Sequence, residues 1–355
     1  MKKIVILQTV VPDYRKKVFQ FIKNYLGDSF LLYGGNEYFE DSVKSDNSIT
    51  FLNKVNNKFW FDRKVLFQTG MWNESIKSDV LVLELNPRII SNWLLLTFRY
   101  FSPKKTILWG HAWPRKGKES GTDKIRNTMR LLADEIIVYT KTQEKELKKK
   151  MPKKVIKSAP NAIFHNNEMI VSKIPNEKIT DIIYVGRLTK SKKIIFLVKS
   201  FIKMIDRLPK KTKLIIIGEG EEKLKIIDLI TQNDLKERIL VMGHIGDYTI
   251  LKELYSKSLF SVSPGYIGLS IIQSFGFGVP MLISKYENHS PEIEAIEEGH
   301  NAEYFKTNSI DDLALKMNTF FDKKVFWIEQ RPKICSQCRI DYSIENMANK
   351  FIELL

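Results

Sequence analysis

This 355-residue chain is predicted to fold as α/β, with two doubly wound, Rossmann-like domains that face a central cleft. Short apolar runs alternate with helical periodicity almost throughout, a pattern typical of parallel sheets flanked by helices. The length exceeds the ~250–300 residues at which single cores stop growing, so two domains are favoured over one. A polar stretch at 164–180 separates two series of these runs and is the expected linker.

The apolar runs give the expected elements in chain order. In the first series, strands are predicted at 3–8, 29–33, 80–85, 106–109, 135–139 and 155–158, with helices between them, for example at 16–25 and 143–150. In the second series, strands are predicted at 181–185, 213–217, 238–242, 259–262 and 280–284. The segment 344–355 is amphipathic at helical spacing. We therefore expect an N-terminal domain at 1–172, a C-terminal domain at 173–340, and a C-terminal helix at 341–355 that packs back toward the first domain.

Charge is unevenly distributed along the chain. The net charge is +16, and residues 1–172 hold 30 Lys and Arg against 17 Asp and Glu, whereas residues 173–355 hold 27 against 24. The excess is concentrated at 99–118 and 141–157. Solvated helix faces explain such runs, and so does contact with anionic lipid headgroups or a diphosphate-bearing acceptor. Nucleic acid is not expected as a partner, because no recognised binding motif accompanies the charge.

The sequence predicts a cytoplasmic protein that lies on the inner face of the cytoplasmic membrane without spanning it. No window reaches the roughly 18–20 apolar residues that a bilayer span needs, since the best candidate, 93–101, contains Arg99. The first residues, MKKIVILQTVVPDY, lack a small-residue cleavage site and are expected to be a buried strand. Cys335 and Cys338 form a single C-x-x-C motif. Two cysteines are too few ligands for a structural zinc, so we expect two reduced thiols.

The clearest site signal lies at 259–284. An apolar run ends at Gly265, and Gly268 opens a helical segment. A strand that turns through glycines into a helix N-terminus presents unpartnered amides and the positive end of the helix dipole to an anion. Upstream, another strand-like run ends just before Arg187, with Lys192 following, and these side chains supply the two cations that a diphosphate requires. Together these features indicate a transferase that uses a nucleotide sugar.

The second half resembles the nucleotide-binding domain of glycosyltransferase family 4, which has the GT-B fold. The matching pieces occur in the family's order and are YVGRLTKSKK (184–193), LIIIGEGEEKLK (214–225), ILVMGHIGDYTILKELY (239–255), SPGYIGLSIIQSFGFGVP (263–280) and SPEIEAIEEG (290–299). In the first half, PDYRKKVF (12–19), ILWGHAW (107–113) and ADEIIVYT (133–140) resemble a bacterial subset of the same family, less specifically.

The resemblance implies a retaining glycosyltransferase that needs no metal and no other cofactor. Arg187 and Lys192 would contact the donor diphosphate and stabilise the charge that develops on it, with Lys190 or Lys193 as substitutes for Lys192. Residues near the nucleotide sugar would be Gly186, Gly243, His244, Ile245, Gly265, Tyr266, Ile267, Gly268, Leu269, Ser270 and Gln273.

The donor motif departs from the family at two positions. Members often carry two glutamates eight residues apart, and Gly265 and Gln273 occupy those positions here. Gln273 has two interpretations of equal weight: it hydrogen-bonds the ribose diol, or it completes a capping box with Ser270 at a helix start. Because Gly265 has no side chain, the donor would be held by the amides of residues 266–270.

In the first half, the resemblance assigns His111 to a catalytic position that faces the transferred sugar and the acceptor. His111 follows a predicted strand, and Gly110 and Trp113 beside it favour an open wall. Tyr14 and Arg15 occupy the first strand-to-helix loop, where many relatives have a glycine pair. Arg15 meets an acceptor phosphate in one interpretation and merely flanks a helix in the other.

These observations lead to one main hypothesis and two alternatives. The main hypothesis is a glycosyltransferase that moves a sugar to a hydroxyl of a lipid-linked or polysaccharide acceptor in cell-surface glycan synthesis, such as capsule or O-antigen. The basic, aromatic region 93–105 would then bind anionic membrane. The alternatives are a catalytically silent GT-B protein that binds a nucleotide sugar or a partner enzyme, and a nucleic-acid-binding protein.

Overall fold

The computed structural model describes residues 2–40, 43–114 and 117–355. Arg115 and Lys116 of the basic stretch 99–118 lie outside these ranges. The chain divides into two compact units, the first formed by Met1–Ile163 with Tyr342–Leu355 and the second by Phe164–Asp341.

The first unit is built on a parallel sheet with helices on its faces. Its strands are β1 (Ile4–Val10), β2 (Phe30–Gly35), β3 (Leu52–Lys54), β4 (Asn56–Trp60), β5 (Val65–Thr69), β6 (Val80–Glu84), β7 (Lys105–Trp109), β8 (Glu135–Val138) and β9 (Val155–Ser158). Its first five helices are α1 (Asp13–Leu26), α2 (Trp72–Lys77), α3 (Ile90–Tyr100), α4 (Asp123–Leu132) and α5 (Lys141–Lys150). Seven strands form the parallel sheet in the order β3-β2-β1-β6-β7-β8-β9, and β4 and β5 form a separate antiparallel hairpin.

The central strand β1 shows why this part of the sequence forms a parallel sheet. Every residue of IVILQTV is buried, as expected for a strand covered on both faces. Alternate side chains enter different cores: Ile4 and Ile6 pack on one face, and Val5 and Leu7 on the other.

The second unit repeats the same plan. Its strands are β10 (Asp181–Val185), β11 (Leu214–Ile217), β12 (Ile239–Val241), β13 (Ser258–Ser263), β14 (Met281–Ser284) and β15 (Ala302–Phe305), all parallel in the order β12-β11-β10-β13-β14-β15. Its helices are α6 (Ile194–Met204), α7 (Lys223–Gln232), α8 (Tyr248–Lys257), α9 (Ser270–Gly276), α10 (Ile310–Asp322) and α11 (Lys324–Tyr342). In each sheet the strand order reverses beside the first strand, at β1/β6 and at β10/β13, and such reversals are where α/β sheets bind ligands.

The boundary between the units lies nine residues before the expected one, at 163/164 instead of 172/173. The expected linker 164–180 therefore lies within the second unit. The physical reason is aromatic packing, because the Phe164 ring lies 5.2 Å from that of Phe277 and 5.8 Å from that of Tyr248.

The last helix, α12 (Ile344–Ile352), is part of the first unit. Its apolar face joins the core beneath α1, where the Phe351 ring lies 4.7 Å from the Trp109 ring, centroid to centroid. In the part of the chain that the structure describes, no helix is both long and apolar enough to cross a bilayer.

Candidate active site

The candidate donor site lies at the carboxyl edge of the second unit's sheet, where β10 and β13 are neighbours. Gly186 and Arg187 directly follow β10, and Gly265 follows β13 by two residues. A depression at this edge is lined by residues of both strands and of the loops beyond them, among them Val185, Lys192, Ser263, Tyr266 and Ser270.

Close backbone contact joins the loops that follow β10 and β11. A Cβ atom at Gly218 would lie 1.9 Å from the carbonyl oxygen of Gly186, a distance that no side chain tolerates. The Leu188 amide donates to the carbonyl of Glu219 at 2.8 Å, and the Glu222 amide donates to the carbonyl of Leu188 at 3.0 Å. The glycine at 218 is therefore required by packing between these two loops, which fixes the backbone around Arg187.

A second close contact joins the loop after β13 to the 3₁₀ helix Lys190–Lys192. A Cβ atom at Gly265 would lie 2.2 Å from the carbonyl oxygen of Ser191 and 3.0 Å from the carbonyl carbon of Lys192. The Tyr266 amide donates to the Ser191 carbonyl at 3.0 Å, and the Lys192 ammonium donates to the Tyr266 carbonyl at 2.7 Å. Gly265 is the residue that lets Lys192 and the loop after β13 come together.

Of the five amides at 266–270, one donates a hydrogen bond and four do not. The Tyr266 amide, expected to help hold the donor, is bound to Ser191, so that expectation is wrong for this residue. The next four amides have no hydrogen-bond acceptor within the described ranges, and they belong to Ile267, Gly268, Leu269 and Ser270. Four consecutive free amides at the end of a parallel strand form an arrangement that suits an anion.

The cations at this edge differ in what they contact. Arg187 is exposed, and no carboxylate of the described chain lies within 4.0 Å of its guanidinium. Lys193 donates to Glu287 at 2.5 Å and to Asn308 at 2.7 Å. Lys193 is thus neutralised and is a poor substitute for Lys192, whereas Arg187 is available to a ligand.

Lys192 has an unusual electrostatic environment. Burial lowers its pKa from the ordinary value to about 8, and the neighbouring positive charge of Arg187 contributes to the same shift. Its ammonium also lies 4.5 Å from the centroid of the Tyr266 ring. An anion placed between Lys192 and Arg187 would relieve the repulsion between them, so the pair is electrostatically suited to a diphosphate.

The capping-box interpretation of Ser270 and Gln273 is wrong. Helix α9 begins at Ser270 with Leu269 as its N-cap, and no side chain makes a cap hydrogen bond. A residue at the first helical position cannot serve as the N-cap, which explains the failure. Gln273 lies half-buried in the first turn of α9, and its backbone N–H donates to the Leu269 carbonyl at 3.0 Å.

The nucleobase candidates lie two strands away from Lys192 on the same edge of the sheet. Gly243 follows β12 with a φ of 73°, in the left-handed region that favours glycine, and its carbonyl accepts from the Gly218 amide at 2.7 Å. His244 is exposed and Ile245 is half-buried. The structure thus brings Gly186, Gly265–Ser270 and Lys192 together, and Gly243–Ile245 extend this edge toward β12.

In the first unit, His111 lies just beyond β7 and is exposed. Its ring packs edge-on against the Tyr139 ring at 4.7 Å between centroids. Two arginines of α4 hold the backbone around it: Arg126 donates to the His111 carbonyl at 3.0 Å, and Arg130 donates to the carbonyl of Ala112. Arg130 is itself paired with the buried Asp123 at 2.6 Å. The structure therefore gives His111 a fixed backbone and an accessible side chain.

Arg15 is not available to an acceptor phosphate, so that interpretation is wrong. Its side chain is buried, and its guanidinium donates to the Gln8 side chain at 2.5 Å and to the Tyr139 hydroxyl at 2.8 Å. The guanidinium carbon also lies 4.3 Å from the Trp109 ring centroid. Arg15 thereby positions Tyr139, the residue against which His111 packs. Tyr14, by contrast, is 36% exposed at the start of α1.

One polar residue at the carboxyl edge of the first unit's sheet was not predicted as a site residue from the sequence. Glu84 ends β6 beside the reversal in strand order, and it accepts hydrogen bonds from the Thr9 amide at 2.5 Å and the Thr9 hydroxyl at 2.9 Å. Burial raises the pKa of Glu84, although the Thr9 hydrogen bonds and the charge of Arg15 oppose the shift. Its signal in the sequence was a single carboxylate that ends an apolar run, VLVLE.

The two cysteines lie buried on α11, away from these edges. The Cys335 thiol donates to the Gly276 carbonyl at 3.2 Å, and the Cys338 thiol contacts the Ile272 carbonyl at 3.7 Å. Burial raises the pKa of both thiols, which disfavours the reactive thiolate. Across residues 2–40, 43–114 and 117–355, no three His, Cys, Asp or Glu side chains gather closely enough to hold a metal ion.

Comparison with known proteins agrees with this geometry. Residues 166–337 match the family described as Glycosyl transferases group 1. A glycosyltransferase of Methanocaldococcus jannaschii, MJ1059, is 26% identical over 308 residues, which cover 79% of this chain and 74% of that protein.

Solved structures resemble the whole chain. The structure of Anabaena HepE in complex with UDP superposes with a TM-score of 0.69 at 12% identity, covering 100% of this chain and 99% of that one. The apo form of the lipopolysaccharide outer core galactosyltransferase WaaB gives a TM-score of 0.67 at 15% identity, with 100% of both chains covered. The predicted fold class is confirmed: the chain has the GT-B fold, with two Rossmann-like domains.

The fold and the family match define the class of protein. The residues that match the Glycosyl transferases group 1 family, 166–337, include the whole β10/β13 edge with Arg187, Lys192 and Gly265. The chain is a glycosyltransferase, as the sequence predicted.

Proposed function

We propose that the protein is a retaining, metal-independent glycosyltransferase that uses a nucleotide diphosphate sugar. The observation that carries this proposal is the β10/β13 edge, where four free amides at 267–270 lie beside Lys192, and Arg187 is near enough to affect the pKa of Lys192. This arrangement suits a pyrophosphate group. The uridine nucleotide bound by HepE supports the same ligand class here.

In this proposal the protein stabilises the departing nucleotide diphosphate. The bond between the anomeric carbon and the phosphate oxygen breaks, and Arg187, Lys192 and the free amides offset the negative charge that develops. The acceptor hydroxyl attacks from the same face, and the departing phosphate takes its proton. A carboxylate base is not required by this route, which is compatible with Gly265 at the usual glutamate position. His111 would orient the transferred sugar and the acceptor.

The proposed acceptor is a hydroxyl of a lipid-linked or polysaccharide glycan, and the proposed role is synthesis of a cell-surface glycan such as capsule or O-antigen. The excess of Lys and Arg in residues 1–172 supports an anionic acceptor or an anionic membrane surface at the cytoplasmic face. The WaaB galactosyltransferase, which acts in the lipopolysaccharide outer core, supports a glycan acceptor.

The test is turnover of the donor after removal of Arg187. We expect Arg187→Ala to lower turnover by roughly 100-fold or more, as loss of one charge-stabilising donor does elsewhere. Release of free nucleotide diphosphate measures this, after a thermal-shift screen of nucleotide sugars has identified the donor. Arg207→Ala is the matched control, because Arg207 is exposed and lies between α6 and the start of β11, away from the carboxyl edge. Equal turnover in the two variants would eliminate the proposed role of Arg187.

A further inference from the structure

Lys193 has a backbone conformation that is unfavourable for a lysine. The residue directly follows the 3₁₀ helix Lys190–Lys192 and precedes α6, with a φ of 55° and a ψ of 40°. In this left-handed region, the Cβ atom of any residue other than glycine crowds the neighbouring backbone. Strain of this kind persists only where surrounding contacts hold it, and it is common at functional sites.

The side chain of Lys193 supplies such contacts, because it reaches two other loops at the carboxyl edge of the sheet. Its ammonium donates to Glu287, in the loop after β14, at 2.5 Å and to Asn308, in the loop after β15, at 2.7 Å. The Lys193 and Glu287 side chains are only 27% and 15% exposed. A charge-assisted pair that is largely shielded from water restrains its partners more strongly than a pair on the open surface.

The two loops that receive the Lys193 side chain are also tied to each other. The Ser284 hydroxyl donates to the Glu287 carboxylate at 3.2 Å and lies 2.9 Å from the Thr307 hydroxyl. The Tyr286 amide donates to the same Thr307 hydroxyl at 2.8 Å. The loops after β14 and β15 therefore form one hydrogen-bonded support for Lys193.

The turn that Lys193 anchors contains Lys192. The Lys193 amide donates to the Lys190 carbonyl at 3.1 Å and closes the turn. On the other side, the Ser191 carbonyl accepts from the Tyr266 amide of the loop after β13. The turn is thus held between the loop after β13 and the support formed by the loops after β14 and β15.

Lys192 also lies close to the loop that contains Glu287. His289 of this loop has its ring nitrogen Nε2 2.9 Å from the Ser284 carbonyl oxygen. Burial lowers the pKa of His289, and the positive charge of Lys192 contributes to the same shift, whereas the charge of Glu287 opposes it. Lys192 and the partner of Lys193 are therefore both near His289.

We propose that Lys193 is a positioning residue: its pairing with Glu287 and Asn308 holds the Lys190–Lys192 turn so that Lys192 is preorganised for the donor diphosphate. The inference rests on the proposed function, because that function assigns Lys192 to the diphosphate. Lys193 itself does not contact the ligand in this proposal, since its ammonium is paired with Glu287.

Calorimetric titration of the full chain with inorganic pyrophosphate tests the proposal. Lys193→Ala removes the pair and keeps the strained backbone, whereas Lys193→Gly removes both. We expect both variants to bind pyrophosphate about tenfold more weakly than the wild type, because the turn is no longer anchored. Lys193→Gly should nevertheless melt about 2–4 °C above Lys193→Ala, because glycine relieves the left-handed strain. Wild-type affinity in either variant would overturn the proposal.

A variant of Glu287 separates positioning from simple charge. Glu287→Ala removes a negative charge from this edge, so a purely electrostatic role of the pair predicts tighter binding of pyrophosphate. Loss of the anchor predicts the opposite sign, with binding weaker by about threefold or more while Asn308 still accepts from Lys193. Tighter or unchanged binding in Glu287→Ala would therefore refute the positioning role.

Asp234→Gly is the matched control for the backbone change. Asp234 has a φ of 52° and lies between α7 and β12, at the opposite edge of the same sheet. This variant relieves the same kind of conformation and should bind pyrophosphate like the wild type. An equal loss of affinity in Asp234→Gly would show that the effect is not specific to the Lys193 anchor.

The wild-type titration distinguishes this inference from the proposed function. A wild-type protein that does not bind pyrophosphate would refute the diphosphate site, and the role of Lys193 with it. Wild-type binding of pyrophosphate that is unchanged in the Lys193 variants would refute only the role of Lys193.

Discussion

Lys192 is the residue whose chemistry is most sensitive to its surroundings. Its ammonium donates to the Tyr266 carbonyl, and burial together with the positive charge of Arg187 brings its pKa to about 8. The ammonium is present below this pH and is lost as the pH rises through it. A bound diphosphate favours the charged form, so binding and protonation are linked.

This linkage gives a prediction for pH dependence. Affinity for the nucleotide diphosphate should fall above a pH of about 8, by up to about tenfold per pH unit, as Lys192 loses its proton. Calorimetric titration across this range measures the effect.

Lys192→Arg is the control for this titration, since a guanidinium stays charged over the whole range. That variant should bind without the alkaline loss. A wild-type profile that stays flat above pH 8 would show that Lys192 does not contact the ligand.

The sequence identified these residues more readily than their partners. Arg187, Lys192 and Gly265 stand at the ends of apolar runs, so their place at one sheet edge follows from topology. That Lys193 pairs with Glu287, 94 positions away in the chain, depends on a loop conformation that no local pattern encodes.

At the scale of elements, the turn between β13 and α9 is defined by its contact with the 3₁₀ helix Lys190–Lys192. Gly265 permits that contact because a Cβ atom there would meet backbone atoms of Ser191 and Lys192, which cannot rotate away as a side chain would. The absence of a side chain at position 265 is therefore built into the packing of this turn.

This geometry predicts that position 265 does not tolerate a side chain. Gly265→Ala and Gly265→Glu should both weaken binding of the nucleotide diphosphate by roughly tenfold or more, because relieving the clash costs ~1–3 kcal/mol and moves Lys192. Equilibrium binding of the nucleotide measures this.

Gly121→Ala is the control for this pair, since a Cβ atom at Gly121 meets nothing within 4 Å. Tighter binding in Gly265→Glu would contradict the account, because it would mean that the missing carboxylate, and not the close backbone contact, governs this position.

Among the elements, fully buried strands were predicted well, whereas a partly exposed strand and a very short one were missed. β1 and β13 have seven and six residues, all of them buried, and each contains a predicted apolar run. The hairpin strand β4 reads NNKFW and has no fully buried residue, so it lacks the pattern that marks a parallel strand. β15 is only four residues long and contains a glutamate. Both were missed because neighbouring elements, not their own composition, hold them in place.

At the scale of the whole molecule, the sequence established which half is basic but not which cations face solvent. Arg15, Arg99 and Arg130 all belong to the basic half, and all three are buried. Each satisfies backbone or side-chain acceptors inside the first unit. Net charge is a sum over residues, whereas the field at a surface depends on burial, which only the fold decides.

The unit boundary and the C-terminal helix also show that a local sequence pattern does not identify what a segment packs against. A polar stretch was expected to separate the domains, yet Phe164 within it packs on the second unit. The apolar face of α12 predicted packing, and the cluster that it joins contains residues from the other end of the chain, among them Ile4 and Phe19. Amphipathicity indicates that one face of a helix is buried, and the topology of the fold determines which elements bury it.

The most direct test of the central claim is calorimetric titration of the full chain with three ligands: inorganic pyrophosphate, and the nucleoside diphosphate and free nucleoside of the donor that the thermal-shift screen identifies. If the β10/β13 edge is a diphosphate site, the nucleoside diphosphate will bind far more tightly than the nucleoside, and pyrophosphate will compete with it. In the double variant Arg187→Ala with Lys192→Gln, the difference between the two nucleoside ligands will largely disappear. Equal binding of nucleoside and nucleoside diphosphate by the wild type, or wild-type affinity for the nucleoside diphosphate in the double variant, would contradict the account.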